Sequence, residues 1–233
     1  MAYRKVQLVN DEIYHVVVRG AGDMEIFKDE HDYYRGIFSL YEFNNSSGVT
    51  IRDRRATRLK NKKIDRRMSS GDRNMLVEVM AFCFMPNHIH LLLRQINDEG
   101  ITKFMRKFGT GYSHYFNKKH NKMGHLFQGR FKPVIIEDDR QLEVVFTYIH
   151  TNPVSLIEPK WKEKGIKDAE RAYEFLENFK WHSFPDYLGK QNFPSVIQRD
   201  FLFEQMGEID GCRKAVKNSL QKNVFCNFGV DKM

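Results

Sequence analysis

The chain has 233 residues, of which 41% are hydrophobic and 13% aromatic, enough for one large domain or for a core with an appendage. No stretch approaches the roughly 18 apolar residues of a membrane span, and the first residues lack the apolar core of a signal peptide. We therefore expect a cytoplasmic protein without a membrane partner. The cysteines Cys83, Cys212 and Cys226 share no CxxC spacing, which indicates neither a disulfide framework nor a thiolate zinc site.

The formal net charge of +8 is concentrated in one segment. Residues 52–73 contain ten basic and three acidic residues, a net charge of +7. Such a block is typical of a protein that neutralises phosphates, although a solvated loop that binds nothing is the alternative. The basic residues of this segment that we predict to contact nucleic acid are Arg54, Arg55, Arg58, Lys60, Lys62, Lys63, Arg66 and Arg67.

The first half of the chain predicts three strands and a helix. Residues 12–19 are rich in β-branched side chains and end in glycines, which indicates a central strand. Residues 29–43 have helical apolar spacing, with Asp29 as the N-cap. The apolar runs 75–84 and 88–94, joined by a turn, predict two adjacent strands.

The second half adds two helices and a short strand to the predicted core. A helix begins at residue 101, although Gly109 and Gly111 weaken its middle. A strand at 133–137 precedes a helix that Asp138 or Asp139 caps and Pro153 ends. This order predicts an α+β fold, a ferredoxin-like sandwich with an antiparallel central sheet and helices on one face.

Two histidines suggest a metal site on the second of the adjacent strands. Alternate residues of a strand share a face, so His88 and His90 point the same way while Ile89 faces the other. A pair of solvated or hydrogen-bonded histidines fits His-x-His equally well, so the pair needs further support.

The last predicted helix supplies that support. Residues four apart lie one turn above each other, so Tyr148 and Asn152 share a face, while His150 is rotated about 200° from Tyr148. Imidazole nitrogens and an amide oxygen, with no thiolate, favour Mg²⁺ or Mn²⁺ over zinc.

A tyrosine near such a metal can act as a nucleophile on a phosphodiester. Its phenol has an ordinary pKa near 10, and a cation helps by offsetting charge in the transition state. The product is a phosphotyrosine link, which a free 3′-hydroxyl can reverse without ATP. Tyr112 and Tyr115 are rival nucleophiles by composition, but both fit the apolar stripe of their helix.

Four ordered motifs resemble the REP-associated tyrosine transposases, which are single-tyrosine HUH transposases of the insertion-sequence-200 type. The motifs are YHVVVRG at 14–20, MPNHIHLLL at 85–93, GHLFQGRF at 124–131 and YIHTNPV at 148–154. The resemblance covers about residues 10–157 and continues weakly through 181–189.

The resemblance implies a metal-dependent enzyme that cleaves and rejoins single-stranded hairpin DNA. It implies that His88, His90 and Asn152 bind the divalent metal and that Tyr148 attacks the DNA. Arg130 and Lys132 are then candidate DNA contacts, with core packing the alternative for the neighbouring Phe131.

The resemblance also suggests a division of the chain. Residues 1–159 would form the catalytic domain, with a basic insertion near 48–74 whose DNA role is our own inference, and 160–233 a C-terminal helical extension. A replication initiator or relaxase of the same chemistry, and a domesticated DNA-binding protein without catalysis, are the alternative functions. Both a monomer and a homodimer remain open.

Overall fold

The computed structural model describes residues 7–48 and 74–222, and within them four strands form one antiparallel sheet. The strands are β1 (Ile13–Arg19), β2 (Val77–Met85), β3 (His88–Gln95) and β4 (Lys132–Ile135). Their order in the sheet is β2-β3-β1-β4. Because β1 pairs with both β3 and β4, the prediction that it is a central strand is confirmed.

Three helices lie where the sequence predicts them: α1 (Glu30–Phe43), α2 (Gly100–Lys119) and α3 (Asp139–Thr151). Asp29 caps α1 by accepting a hydrogen bond from the backbone N–H of Asp32 at 3.0 Å. Asp138 caps α3 in the same way, from Gln141 at 2.7 Å. After α3 the chain tightens into a 3-10 turn over Asn152–Leu156, because Pro153 has no N–H to continue the helix.

The element order β1-α1-β2-β3-α2-β4 and the strand order together give the predicted ferredoxin-like sandwich. On one face the ring of Phe27 stacks on Phe84 of β2 at 4.8 Å and contacts Tyr112 of α2 at 5.3 Å. Helix α3 packs on the opposite face, where its Tyr148 meets His90 of β3. The sequence predicts helices on one face of the sheet, and α1 and α2 lie there. Helix α3 covers the other face, because β3 is apolar enough to be buried on both sides.

The segment after residue 159 is helical, as predicted, and lies against the core. Its buried side chains include Trp161, with 1% of its surface exposed, and Tyr187. None of the helices in the described ranges has the length and apolar character needed to cross a membrane. The helices of this segment are α4 (Trp161–Lys164), α5 (Ala169–Asn178), α6 (Phe184–Tyr187), α7 (Asp200–Gln205) and α8 (Glu208–Lys222).

The same segment covers the outer edge of β2. The backbone of Phe82 exchanges two hydrogen bonds with Ser183, one from Phe82 N–H to Oγ and one from Ser183 N–H to the Phe82 carbonyl, both 3.0 Å. Met80 is an extra residue in the β2–β3 register, and its carbonyl accepts from the Tyr187 hydroxyl at 2.6 Å. Further along the edge, the N–H of Val79 donates a hydrogen bond to Gln198 Oε1 and the N–H of Phe84 donates one to the Trp181 carbonyl. An otherwise open strand edge is thereby closed.

Candidate metal and tyrosine site

His88 and His90 lie on one face of the sheet, as the alternation of β3 predicts. In the register with β1, Arg19 pairs with His88 and Val17 with His90, so this face is also that of Arg19. The two imidazole centroids are 4.8 Å apart and the rings are nearly perpendicular, at 84°. His88 is half-buried at the start of the strand, whereas His90 is 3% exposed.

Asn152 meets His88 at the start of the 3-10 turn. Its Oδ1 is 3.3 Å from His88 Nε2, while Asn87 Oδ1 lies 2.7 Å from His88 Nδ1. With Asn87 as acceptor, His88 Nδ1 carries the proton and Nε2 presents a lone pair. His88 Nε2 and Asn152 Oδ1 are then two acceptors that face each other. Two ligands of one metal ion, each bonded at about 2.1 Å and at right angles, lie about 3 Å apart, close to the separation of these atoms.

His90 presents a second unused nitrogen. Its Nδ1 is 2.9 Å from His15 Nε2, and its buried Nε2 has no hydrogen-bond partner within the described part of the chain. A buried nitrogen without a partner is costly unless something binds it. The residue types and the orphaned atom therefore fit a divalent cation held by His88, His90 and Asn152.

Burial keeps these imidazoles neutral. It lowers the pKa of His88 to about 4, helped by the positive charge of Arg19, and lowers the pKa of His15 to about 3. The pKa of His90 lies well below its ordinary value because of burial and then the neighbouring imidazoles. Neutral imidazoles keep the lone pair that a metal ion requires.

Tyr148 lies beside the histidines, one helical turn before Asn152. Its ring makes an edge contact with His90 at 5.3 Å and with His15 at 6.0 Å. The phenol is 4% exposed, and its oxygen accepts a hydrogen bond from Lys162 Nζ at 3.1 Å. The structure therefore brings together all four residues that the sequence nominates, His88, His90, Asn152 and Tyr148.

Lys162 is the site residue that sequence reasoning missed. Its ammonium also lies over the Tyr148 ring, 4.5 Å from the centroid. It belongs to α4, beyond the 3-10 turn, so no strand or helix period relates it to Tyr148. The sequence signal was weak: a lysine beside a buried tryptophan, ten residues after Asn152 in a chain rich in lysine.

The other candidates hold structural positions. Tyr112 donates a hydrogen bond to the Ile26 carbonyl at 2.6 Å, burial raises its pKa, and Tyr115 donates to Asp32 at 3.0 Å. Both lie on α2, across the sheet from the histidines. His150 points away from Tyr148, as its rotation predicts, and meets Ser183 Oγ at 2.8 Å.

A second cluster with metal-ligand chemistry lies between α1 and α2. Potential ligand atoms of Asp29, Asp32 and His120 are all within 4.8 Å of one another. Lys119 Nζ already lies 2.6 Å from Asp29 and 2.7 Å from Asp32, so an ammonium supplies the positive charge there. This cluster joins the two helices and does not approach Tyr148.

The predicted DNA contacts are divided between two regions. Arg130 and Lys132 are exposed, and Arg130 lines a groove of about 750 Å³ between α2 and the 124–131 loop, together with Arg106, Phe127 and Phe131. That loop adjoins the histidine end of β1, where Gln128 N–H donates to the Arg19 carbonyl at 2.8 Å. The eight predicted contacts of the basic segment, Arg54, Arg55, Arg58, Lys60, Lys62, Lys63, Arg66 and Arg67, lie outside the described residues.

Two comparisons relate this chain to known proteins. The family described as "Transposase IS200 like" matches residues 45–152. A solved structure described as "Structure of the REP associates tyrosine transposase bound to a REP hairpin" is 12% identical and superposes with a TM-score of 0.51. The match covers 86% of this chain and 93% of the other, and at that identity it shows a shared fold. No curated protein matches the sequence.

Proposed function

We propose that this chain, whose residues 45–152 match the IS200-like transposase family, cleaves and rejoins single-stranded hairpin DNA through a covalent phosphotyrosine intermediate. The observation that supports it best is the convergence of Tyr148 and Asn152, one turn apart on α3, with His88 and His90 of β3. Within the described residues the Nε2 of His90 has no hydrogen-bond partner and lies beside the Tyr148 ring, where a cation would satisfy it.

His88, His90 and Asn152 would hold the divalent metal, with Mg²⁺ or Mn²⁺ the ions that suit two imidazoles and an oxygen ligand. When bound, the ion offsets negative charge on the scissile phosphate and orients it for in-line attack. Within the described residues His90 Nε2 has no hydrogen-bond partner, and His88 Nε2 and Asn152 Oδ1 lie 3.3 Å apart, which supports the assignment.

Tyr148 would be the nucleophile of the reaction. A bond forms between its phenolic oxygen and phosphorus while the bond from phosphorus to the 3′-oxygen breaks. The phenolic proton is released and the departing 3′-oxygen takes up a proton. The number of phosphodiester bonds is unchanged, so the reverse attack by a 3′-hydroxyl rejoins DNA without a nucleotide cofactor.

Lys162 stabilises the attacking group in this proposal. Its ammonium donates to the phenolic oxygen at 3.1 Å, where negative charge accumulates as the proton leaves. A charged lysine has no lone pair to accept that proton, so it acts by charge and hydrogen bonding rather than as a base.

The groove between α2 and the 124–131 loop suits a single strand of DNA. Arg106 and Arg130 supply positive charge and Phe127 and Phe131 supply ring faces, the combination that binds backbone and bases without a fixed sequence. Because the proposed ligands, nucleophile and lysine all come from one chain, a monomer contains the complete set.

The test uses hairpin single-stranded DNA from the flanks of the protein's own gene, incubated with Mg²⁺ or Mn²⁺. We expect a covalent protein–DNA adduct on a denaturing gel, lost in Tyr148→Phe and in His88→Ala or His90→Ala, and retained in the control Tyr115→Phe. An adduct that persists in Tyr148→Phe would show that another residue is the nucleophile. DNA binding by the wild type without any adduct would favour the non-catalytic DNA-binding alternative.

A further inference from the structure

A third imidazole belongs to the same face of the sheet. His15 of β1 pairs with Leu92, two residues along the register from the Val17–His90 pair, so its ring reaches His90 diagonally. The two rings are nearly parallel, at 10°, with centroids 5.1 Å apart and ring nitrogens 2.9 Å apart. His15 is 1% exposed, and it lies in the YHVVVRG motif, to which the proposed reaction gives no part.

The contact between the two rings has two arrangements of protons. A neutral imidazole has one N–H and one lone pair, so either His15 Nε2–H donates to His90 Nδ1, or His90 Nδ1–H donates to His15 Nε2. In the first arrangement His90 Nε2 bears the remaining proton and cannot bind a metal. In the second, Nε2 presents its lone pair.

Without a ligand the two arrangements are balanced in hydrogen-bonding terms. His15 Nδ1 and His90 Nε2 are both buried and both lack a partner within the described residues. In the first arrangement His90 Nε2–H and the His15 Nδ1 lone pair have no partner. In the second arrangement His15 Nδ1–H and the His90 Nε2 lone pair have none. A cation at His90 Nε2 would satisfy that atom only in the second arrangement.

We propose that His15 is a positioning residue for His90, accepting a hydrogen bond from His90 Nδ1–H and so directing the Nε2 lone pair toward the metal position. This inference rests on the proposed metal site of His88 and His90. Metal-binding histidines usually donate their second N–H to a carboxylate, a carbonyl or a water, and here an imidazole takes that place.

The experiment measures Mn²⁺ binding by electron paramagnetic resonance on the full chain, with no DNA present. His15→Phe keeps a ring of similar size but has no acceptor, and we expect its Mn²⁺ affinity to fall about 10- to 100-fold. His15→Gln places an amide oxygen where Nε2 lies, and its affinity should recover to within several-fold of the wild type. Tyr115→Phe, on α2 across the sheet from the histidines, is the control and should bind Mn²⁺ as the wild type does.

A folded His15→Phe protein that binds Mn²⁺ as tightly as the wild type would overturn the inference and leave the proposed function standing. If the wild type shows no Mn²⁺ binding that His90→Ala removes, both the proposed metal site and this inference are wrong. Where His15→Phe does not fold, ¹⁵N NMR of histidine-labelled wild type decides: with Mg²⁺ the proton of His90 should reside on Nδ1, and a proton on Nε2 would overturn the inference.

Discussion

At the scale of single residues, the short period of a strand and the turn of a helix were enough to nominate the proposed site. Alternation places His88 and His90 together, and a four-residue spacing aligns Tyr148 with Asn152. Lys162 could not be nominated, because its position depends on the path of the chain after Pro153, where no period operates. His15 was visible in a motif, but its contact with His90 depends on which strands pair.

Replacing Lys162 tests whether its hydrogen bond matters to the reaction. Lys162→Met should slow adduct formation about 10- to 100-fold at saturating DNA, since a hydrogen bond to a charged group contributes about 1.5–3 kcal/mol. Lys162→Arg retains charge and donors and should stay within several-fold of the wild type. Rapid-quench kinetics give the rate of adduct formation. Filter binding, with each Lys162 variant combined with Tyr148→Phe to prevent cleavage, should show similar DNA affinity for the Met and Arg variants. Equal rates for Met and Arg would remove Lys162 from the mechanism.

At the scale of elements, the helix α2 shows why two glycines in one helix have different consequences. Both weaken the predicted helix by propensity alone. A Cβ at Gly111 would collide with the ring of Phe43, whereas one at Gly109 would meet nothing within 4 Å. Gly111 is therefore needed for the close approach of α1 and α2, a requirement that depends on tertiary packing and not on the local sequence.

Alanine at these two glycines gives opposite expected results. Gly111→Ala should lower the free energy of unfolding by about 1–3 kcal/mol, because the added methyl overpacks the contact with Phe43. Gly109→Ala should leave it unchanged or raise it by up to about 1 kcal/mol through helix propensity. Urea unfolding of both variants checks the pair, and equal effects would contradict a packing role for Gly111.

At the scale of the whole molecule, buried neutral histidines should make the fold sensitive to acid. Burial lowers the pKa of His182 to about 3 and lowers that of His150 well below its ordinary value. In the unfolded chain both titrate near 6.5, so between about pH 3 and pH 6.5 the unfolded state binds more protons. Their stabilisation is complete above pH 6.5 and is lost as the pH falls.

Each of these two histidines should reduce the free energy of unfolding by about 1.4 kcal/mol per pH unit below pH 6.5. Urea unfolding at pH 7.5, 5.5 and 4.5 measures the slope. His150→Gln removes one titrating group while keeping an amide able to form a hydrogen bond with Ser183. The free energy of unfolding of this variant should therefore depend less steeply on pH, by about 1.4 kcal/mol per pH unit. An unaltered slope would mean that His150 does not remain neutral in the fold.

The predicted role of the basic segment also belongs to the whole molecule. Glutamine at Arg54, Arg55, Arg58, Lys60, Lys62, Lys63, Arg66 and Arg67 removes eight positive charges without changing chain length. If these residues neutralise phosphates, the dependence of log affinity on log salt should become shallower by about 0.7 for each phosphate of single-stranded DNA that the variant leaves unpaired. Fluorescence anisotropy across a salt series measures this salt dependence of DNA affinity. An identical slope for the variant and the wild type would favour the alternative that the segment is solvated and contacts no phosphate.

The covered edge of β2 bears on any attempt to shorten the protein. A fragment that stops near residue 159 would lose Trp181, Ser183 and Gln198, leaving a ribbon of nine mostly apolar residues with open N–H and C=O groups. Two such fragments can satisfy one another edge to edge. We therefore expect the truncated chain to self-associate, visible as large species in light scattering, while the same cut removes the lysine that touches the tyrosine oxygen.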